Sequence, residues 1–277
     1  MKESVYDFSQ VDQVTDAQYY VQVLEEISRL ESIRECKHLM LQFLNVHRGQ
    51  RLLDVGCGLG DDAREMACLV GENGRVVGLD RSQVMIAEAR KRSESWCLPV
   101  EFLVGDAEKL DFPPESFDAC RSDRTLIHLN AGQALDEMIR VTKPGGNLVV
   151  FEVDAEGISF DNFRSALTRK IVQFHSANYR NGTIGRQLPR LFKERGLADV
   201  TFRPHSVVYP FPFFKRIYSG VLTKAQEAEV ITATESMEWF NEAVEAERRG
   251  TFLFVIPGFI VTGRKPKRGM GLSDTRT

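Results

Sequence analysis

The stretch Leu52-Leu53-Asp54-Val55-Gly56-Cys57-Gly58-Leu59-Gly60 constrains this chain more than any other, because a short apolar run breaks into three glycines at alternate positions and then into a helix-like segment. With no side chain at Gly56, Gly58 or Gly60 the backbone can turn tightly and come within contact distance of a ligand. A helix starting there has free N–H groups to face that ligand. Strand, glycine turn and helix in this order predict a nucleoside-binding crevice at the end of a parallel strand.

The neighbouring acids narrow the ligand. A dinucleotide fingerprint needs Gly-x-Gly-x-x-Gly, whereas here the spacing is Gly-x-Gly-x-Gly and position 61 is aspartate. An acid beside the pocket repels a pyrophosphate but suits a ligand with an ammonium and a sulfonium, as in S-adenosyl-L-methionine. Further along, Arg75-Val76-Val77-Gly78-Leu79-Asp80 reads as a second strand ending in an acid, and Ser82 as the N-cap of a following helix. Val100 to Val104 runs into Gly105-Asp106-Ala107, Ser116 to Ser122 reads as a fourth strand, and Lys143-Pro144-Gly145-Gly146 is a turn feeding Asn147 to Phe151.

In this order and spacing the set resembles the class I S-adenosylmethionine-dependent methyltransferases, whose first motif is Asp-x-Gly-x-Gly-x-Gly. Arg121 to Leu129, Phe151-Glu152-Val153-Asp154 and Gly185 to Phe192 are similar to a bacterial group near the ubiquinone and menaquinone methyltransferases, although Val153 stands where many relatives have proline. The resemblance implies a doubly wound, mostly parallel α/β sheet of seven strands. It places Asp54, Gly56, Cys57, Gly58 and Gly60 around the cofactor, Asp80 on the ribose hydroxyls, Arg81 and Met85 against the adenine, and Asp106 and Ala107 on its polar edge. Arg121, at the end of the fourth strand, is expected near the methionine portion. The likeness leaves the acceptor unnamed.

Bulk properties exclude some partners. The 277 residues carry 36 basic and 39 acidic side chains, net -3, so no global basic field gathers nucleic acid or an acidic membrane. Cys36, Cys57, Cys68, Cys97 and Cys120 show no CxxC pair or metal-ligand spacing, which fits a reducing cytoplasm and no metal. The amino terminus lacks the basic-then-apolar order of a signal peptide. The apolar run from Phe252 to Val261 is about half a membrane span and is broken by Pro257-Gly258. The expected partner is therefore a small molecule, with no nucleic acid and no membrane, and the protein a monomer or homodimer.

Hydrophobic spacing sets off leading helices (1–48), a strand-and-helix core (49–209 and 251–263), a helical insertion (210–250) and a disordered tail (264–277), and the resemblance implies that these are, in order, a lid over the cofactor, the methyltransferase core, a cap over the substrate end and a tail. Tyr19 and Tyr20 are candidate lid residues, or simply helix-packing aromatics. The second half is rich in aromatics, with Pro210-Phe211-Pro212-Phe213-Phe214 expected to reach the pocket, which points to an apolar or aromatic acceptor. His128, on the loop after the fourth strand, is the candidate general base, with loop-shaping as the competing role; His175 and His205 are weaker candidates. Glu152 and Asp154 could orient an acceptor or hold the loop through Arg124 or Arg186. A protein of the same fold could instead catalyse a non-methylating step such as a cyclisation, or bind without turnover.

Overall fold

A computed structural model describes residues 8–13, 17–161 and 165–267. Strands β1 (Arg51–Val55), β2 (Arg75–Asp80), β3 (Val100–Val104), β4 (Phe117–Asp123) and β5 (Thr142–Val153) run parallel in the order 3-2-1-4-5. A two-residue strand β6 (Ser159–Phe160), β7 (Ala198–Val208) and β8 (Phe254–Arg264) complete the sheet, with β8 antiparallel to both β5 and β7. The expected seven strands are present, and β6 extends the β5 edge of β8 by one short pairing at Val255 and Phe254.

Ten of the buried strand side chains show why both faces are covered. Leu52, Val76, Ala119, Val149 and Phe151 pack into one layer, while Leu53, Val77, Cys120, Leu148 and Val150 pack into the other; side chains two apart share a face. The first layer receives α2 (Glu31–Leu44), α3 (Asp61–Val70) and α4 (Gln83–Ser93). In α3, Ala63, Met66, Ala67 and Val70, at i, i+3, i+4 and i+7, are all fully buried. The second layer receives α5 (Ala131–Val141) and α7 (Ile184–Glu194), through Leu135, Met138, Leu188 and Phe192. Ser82 caps α4 by accepting from Met85 N at 3.2 Å, and Asn130 caps α5 by accepting from Gln133 N at 3.3 Å.

Helix α1 (Ala17–Ser28) precedes α2, which ends on Asn45 in the left-handed region. Between β6 and β8 come α6 (Ser165–Ala177), α7, then α8 (Phe211–Glu227) and α9 (Ala233–Arg248). The cap aromatics pack mostly on one another: Phe214 is fully buried and lies 5.0 Å from Tyr218, 5.6 Å from Trp239 and 5.7 Å from Phe160, ring centre to ring centre. The expectation of a tail from residue 264 is corrected at its start. Arg264 is still in β8, and Lys265 exchanges bonds with Gly145 and Gly146 while its ammonium donates to the carbonyls of Ile139 and Thr142. Residues 268–277 lie outside the described residues.

Phe214→Ala should leave a large void among those rings and lower stability by about 3–5 kcal/mol. Urea unfolding followed by tryptophan fluorescence measures it; a loss below about 1 kcal/mol would show that the cap does not depend on this cluster.

Candidate functional site

The carboxyl ends of β1 to β5 open onto a cavity of about 220 Å³. Its wall changes character along the sheet. Asp106 after β3, Asp80 on β2, Asp54 on β1 and Asp123 on β4 line it, joined by Asp61 and Asp62 of α3, against Lys37, Arg81 and Arg124. Towards β5 and β8 the lining becomes Val153, Ile256, Phe213, Ile217, Tyr179 and Tyr209. Val23, Leu24 and Ile27 of α1, with Phe8 and Val11 before it, complete the enclosure. Tyr19 and Tyr20 do not line the cavity; Tyr20 is buried against Phe8 at 5.2 Å and Tyr19 at 5.8 Å, as helix packing.

The three glycines all adopt positive φ (76°, 50° and 74°), yet for different neighbours. A Cβ on Gly56 would lie 2.0 Å from Thr125 Oγ1, and one on Gly60 would lie 2.5 Å from the Phe102 ring. Gly58 lines the cavity and a Cβ there would meet only Leu24, at 3.3 Å. Gly60 therefore serves the entry into α3 and does not line the cavity. The loop amides are turned inward: Gly56 N and Cys57 N donate to Leu79 O (2.8 and 3.0 Å), Gly60 N to Cys57 O (2.9 Å) and Gly58 N to Asp80 Oδ2 (3.0 Å). Close approach, oxygen lone pairs and acids are what this loop presents, which fits a cationic ligand and not a pyrophosphate.

Asp80 is held from two sides. Gly58 N donates to one oxygen and Ser82 N to the other, each at 3.0 Å, so each oxygen keeps lone-pair capacity for hydroxyl donors. Next to it Arg81 and the buried Met85 line the cavity, as do Cys57 and Ala107. The exposed Asp106 accepts from Glu108 N at 2.8 Å. An unforeseen residue joins here: Asp12 accepts from Ser82 Oγ (2.5 Å), Gln83 N (2.7 Å) and Val84 N (3.3 Å), pinning the leading segment to the first turn of α4. Seventy residues separate these partners, and no local pattern in the sequence connects them.

Arg121 is displaced from its expected role. It does not line the cavity; it is fully buried beneath it, with Nη1 3.1 Å from Asp62, Nε 3.6 Å from Asp54 and Nη2 3.6 Å from Asp123. Lys37 meets Asp62 at 2.9 Å, and Arg124 meets Asp123 at 2.8 Å through a left-handed backbone (φ 52°). Three acids and three bases thus form one cluster of charges around the buried Arg121. Burial pushes the Asp54 carboxyl up to about 7, because its nearest cation is shared. Asp62 is equally buried, but Arg121 and Lys37 hold it well below the usual carboxylate range.

His128 lines the cavity from a 3-10 turn, Leu126–His128, its ring 6.1 Å from Phe8 and 5.8 Å from Tyr179. Glu152 lies behind it, fully buried, where it accepts from Leu126 N at 2.5 Å; burial raises its carboxyl to about 8. Asp154 pairs with Arg186 at 2.6 Å. Both acids hold the loop. His205 bonds to Ser32 O at 2.6 Å on β7 and does not line the cavity. Of the aromatic segment expected at the pocket, Phe213 lines it and Phe214 turns into the cap core.

Arg121→Met should strand the Asp54 carboxylate without a cation while Lys37 and Arg124 still pair with Asp62 and Asp123, and cost about 3–5 kcal/mol, with the deficit shrinking at low pH as Asp54 protonates. Thermal unfolding from pH 5 to pH 8 tests this, and a pH-independent loss would count against the charge cluster.

The Methyltransferase domain family matches residues 52–146, spanning β1 to the turn inside β5. An uncharacterized 37.1 kDa protein in transposon TN4556 of Streptomyces fradiae is 38% identical over 195 residues, 68% of this chain and 55% of that protein. Demethylmenaquinone methyltransferase of Bacillus licheniformis is 32% identical over 180 residues, 59% of this chain and 77% of that one. The chain thus spans about half of the first relative and three quarters of the second. Among solved structures, phosphoethanolamine N-methyltransferase 2 of Haemonchus contortus with S-adenosylhomocysteine superimposes with a TM-score of 0.60 at 21% identity, over 96% of this chain and 61% of that one, a likeness of fold. With the strand order, the glycine loop and the acidic crevice in place, the chain belongs to the class I S-adenosylmethionine-dependent methyltransferases.

Proposed function

We propose that this chain transfers the methyl group of S-adenosyl-L-methionine to oxygen, nitrogen or carbon of a small acceptor that is apolar or aromatic. The observation that carries the reading is the change along one cavity wall, from the aspartates after β3 and on β2, β1 and β4 to the apolar lining from β5, β8 and α8. Bound there, the cofactor supplies a methyl carbon activated by a sulfonium. Asp80 accepts from the ribose hydroxyls, Arg81 and Met85 flank the adenine, and Asp106 with Ala107 meets its polar edge. Asp54, Asp62 and Asp123 favour the cationic end. The apolar half then holds the acceptor in line with the methyl, and alignment of this kind contributes roughly 7–11 kcal/mol. His128 takes the proton where the acceptor atom carries one.

The name of the Bacillus licheniformis relative, demethylmenaquinone methyltransferase, supports an apolar ring acceptor. All five cysteines are free thiols, which supports a reducing cytoplasm as the setting. No described helix is long and apolar enough to cross a membrane.

Incubation with methyl-labelled cofactor and a panel of planar apolar alcohols and amines should yield labelled product and S-adenosylhomocysteine in equal amounts. Product without S-adenosylhomocysteine would replace this reading with a non-methylating reaction. Asp80→Ala should weaken S-adenosylhomocysteine binding by roughly 1.5–3 kcal/mol in calorimetry, the range for a hydrogen bond to a charged group; unchanged affinity would reject the ribose placement. Since the Asp54 carboxyl is raised to about 7 and a cationic ligand prefers the carboxylate, affinity for S-adenosylmethionine should rise with pH through about 7 and level off above it. Below that point the slope is at most about tenfold per pH unit, and Asp54→Asn should flatten it.

A further inference from the structure

A second set of polar groups stands at the apolar end of the cavity and has no part in the cofactor site. Tyr179 lines the cavity, and its hydroxyl is tied to His175 Nε2 at 3.4 Å; the opposite ring nitrogen, Nδ1, is tied to the Tyr218 hydroxyl at 3.2 Å. His175 and Tyr218 are buried at 2% and 0% exposure, on α6 and α8. Only Tyr179 reaches the cavity from this chain of three.

The loop carrying Tyr179 is fastened to the turn that carries His128. Asn181 N donates to Ile127 O at 3.1 Å, and the Asn181 amide donates to Leu126 O at 3.2 Å and to Leu129 O. From the other side Ala155 N donates to Gly182 O at 2.7 Å, and a Cβ on Gly182 would lie 2.4 Å from Ser176 O, so this close return of the chain needs glycine. Tyr179 is therefore placed at a fixed 5.8 Å from His128, ring to ring, among apolar neighbours.

We infer that the Tyr179 hydroxyl, oriented by His175 and Tyr218, is the hydrogen-bonding anchor for an oxygen on the acceptor, which makes the acceptor a planar apolar molecule bearing a hydroxyl. A neutral imidazole offers one donor and one acceptor nitrogen, so with Tyr218 donating into Nδ1, Nε2–H donates to the Tyr179 oxygen and leaves the Tyr179 O–H directed elsewhere. The reverse tautomer leaves Tyr179 lone pairs for a substrate O–H. Either way a single hydroxyl is met and an apolar analogue is not. Burial keeps His175 neutral, its imidazole lowered to about 4, and burial also raises the Tyr179 phenol. The chain of three thus orients a hydrogen bond and does not take up the proton; His175 is a positioning residue.

The inference rests on the proposed methyltransferase site, so S-adenosylhomocysteine binding is measured first; its absence would sink that reading and leave no acceptor pocket to test. With S-adenosylhomocysteine bound, the probes are 2-naphthol and naphthalene, followed by their fluorescence. The wild-type protein should bind 2-naphthol about five- to tenfold more tightly, one net hydrogen bond's worth. Tyr179→Phe should abolish that preference while leaving naphthalene and S-adenosylhomocysteine affinity unchanged. His175→Phe should remove most of it, and His175→Gln, which can bridge both tyrosine hydroxyls, should restore it. No preference in the wild type, or a preference retained in Tyr179→Phe, would overturn the inference even if the variants at His175 fail to fold.

Discussion

The arrangement depends on one buried guanidinium. A crevice meant for a cationic ligand must gather carboxylates, and gathering carboxylates away from water costs several kcal/mol per ion unless a cation is supplied from within. Arg121 supplies it from inside β4, where the strand is covered on both faces and the side chain sits within 3.6 Å of Asp54, Asp62 and Asp123. Lys37 and Arg124 complete the neutralisation at the two margins, through Asp62 and Asp123. The result is uneven. Asp62 keeps its charge, whereas Asp54, farther from its cation, sits near the point where it exchanges a proton at physiological pH. The floor of the cavity is thus held together by charges, and one of them remains responsive to an arriving cation.

Upon that floor the glycine loop acts mainly as a fitting between strands. Its amides bind β2 and Asp80, so the carboxylate at the tip of β2 is fixed by the same turn that brings the backbone near. Asp12 extends this coupling to the leading segment: the residue capping the first turn of α4 belongs to the stretch that carries Phe8 and Val11 over the cavity. The cover and the tip of β2 are therefore mechanically joined at Ser82, which donates from its hydroxyl to Asp12 and from its amide to Asp80. At the opposite end, Asn181 and Gly182 weld the loop after α6 to the His128 turn and to the start of the segment after β5.

Much of this was legible in order along the chain. Strand-ending acids at 80 and 106 and the glycines at 56 and 58 fall on the cavity as their spacing implies, since in a doubly wound sheet successive strand tips share one edge. His128 reaches it for the same reason. Arg121 misled because alternation along β4 decides its direction: it lies one layer below the tip, where a charged side chain is buried among acids contributed by β1 and α3. Asp12, Lys37, Asp62 and Tyr179 went unassigned in the sequence, as their roles arise from segments brought together across the fold.

The sequence by itself determined the strand and helix order, the glycine turn and the acids at strand ends, since each follows from local backbone freedom and hydrophobic period. Tertiary structure alone decided which charge would be neutralised, which aromatic would face the cavity and which would fill the cap. Those outcomes turn on desolvation and packing among side chains as far apart as Asp12 and Ser82, or His175 and Tyr218, and such energies exist only once the chain has closed on itself.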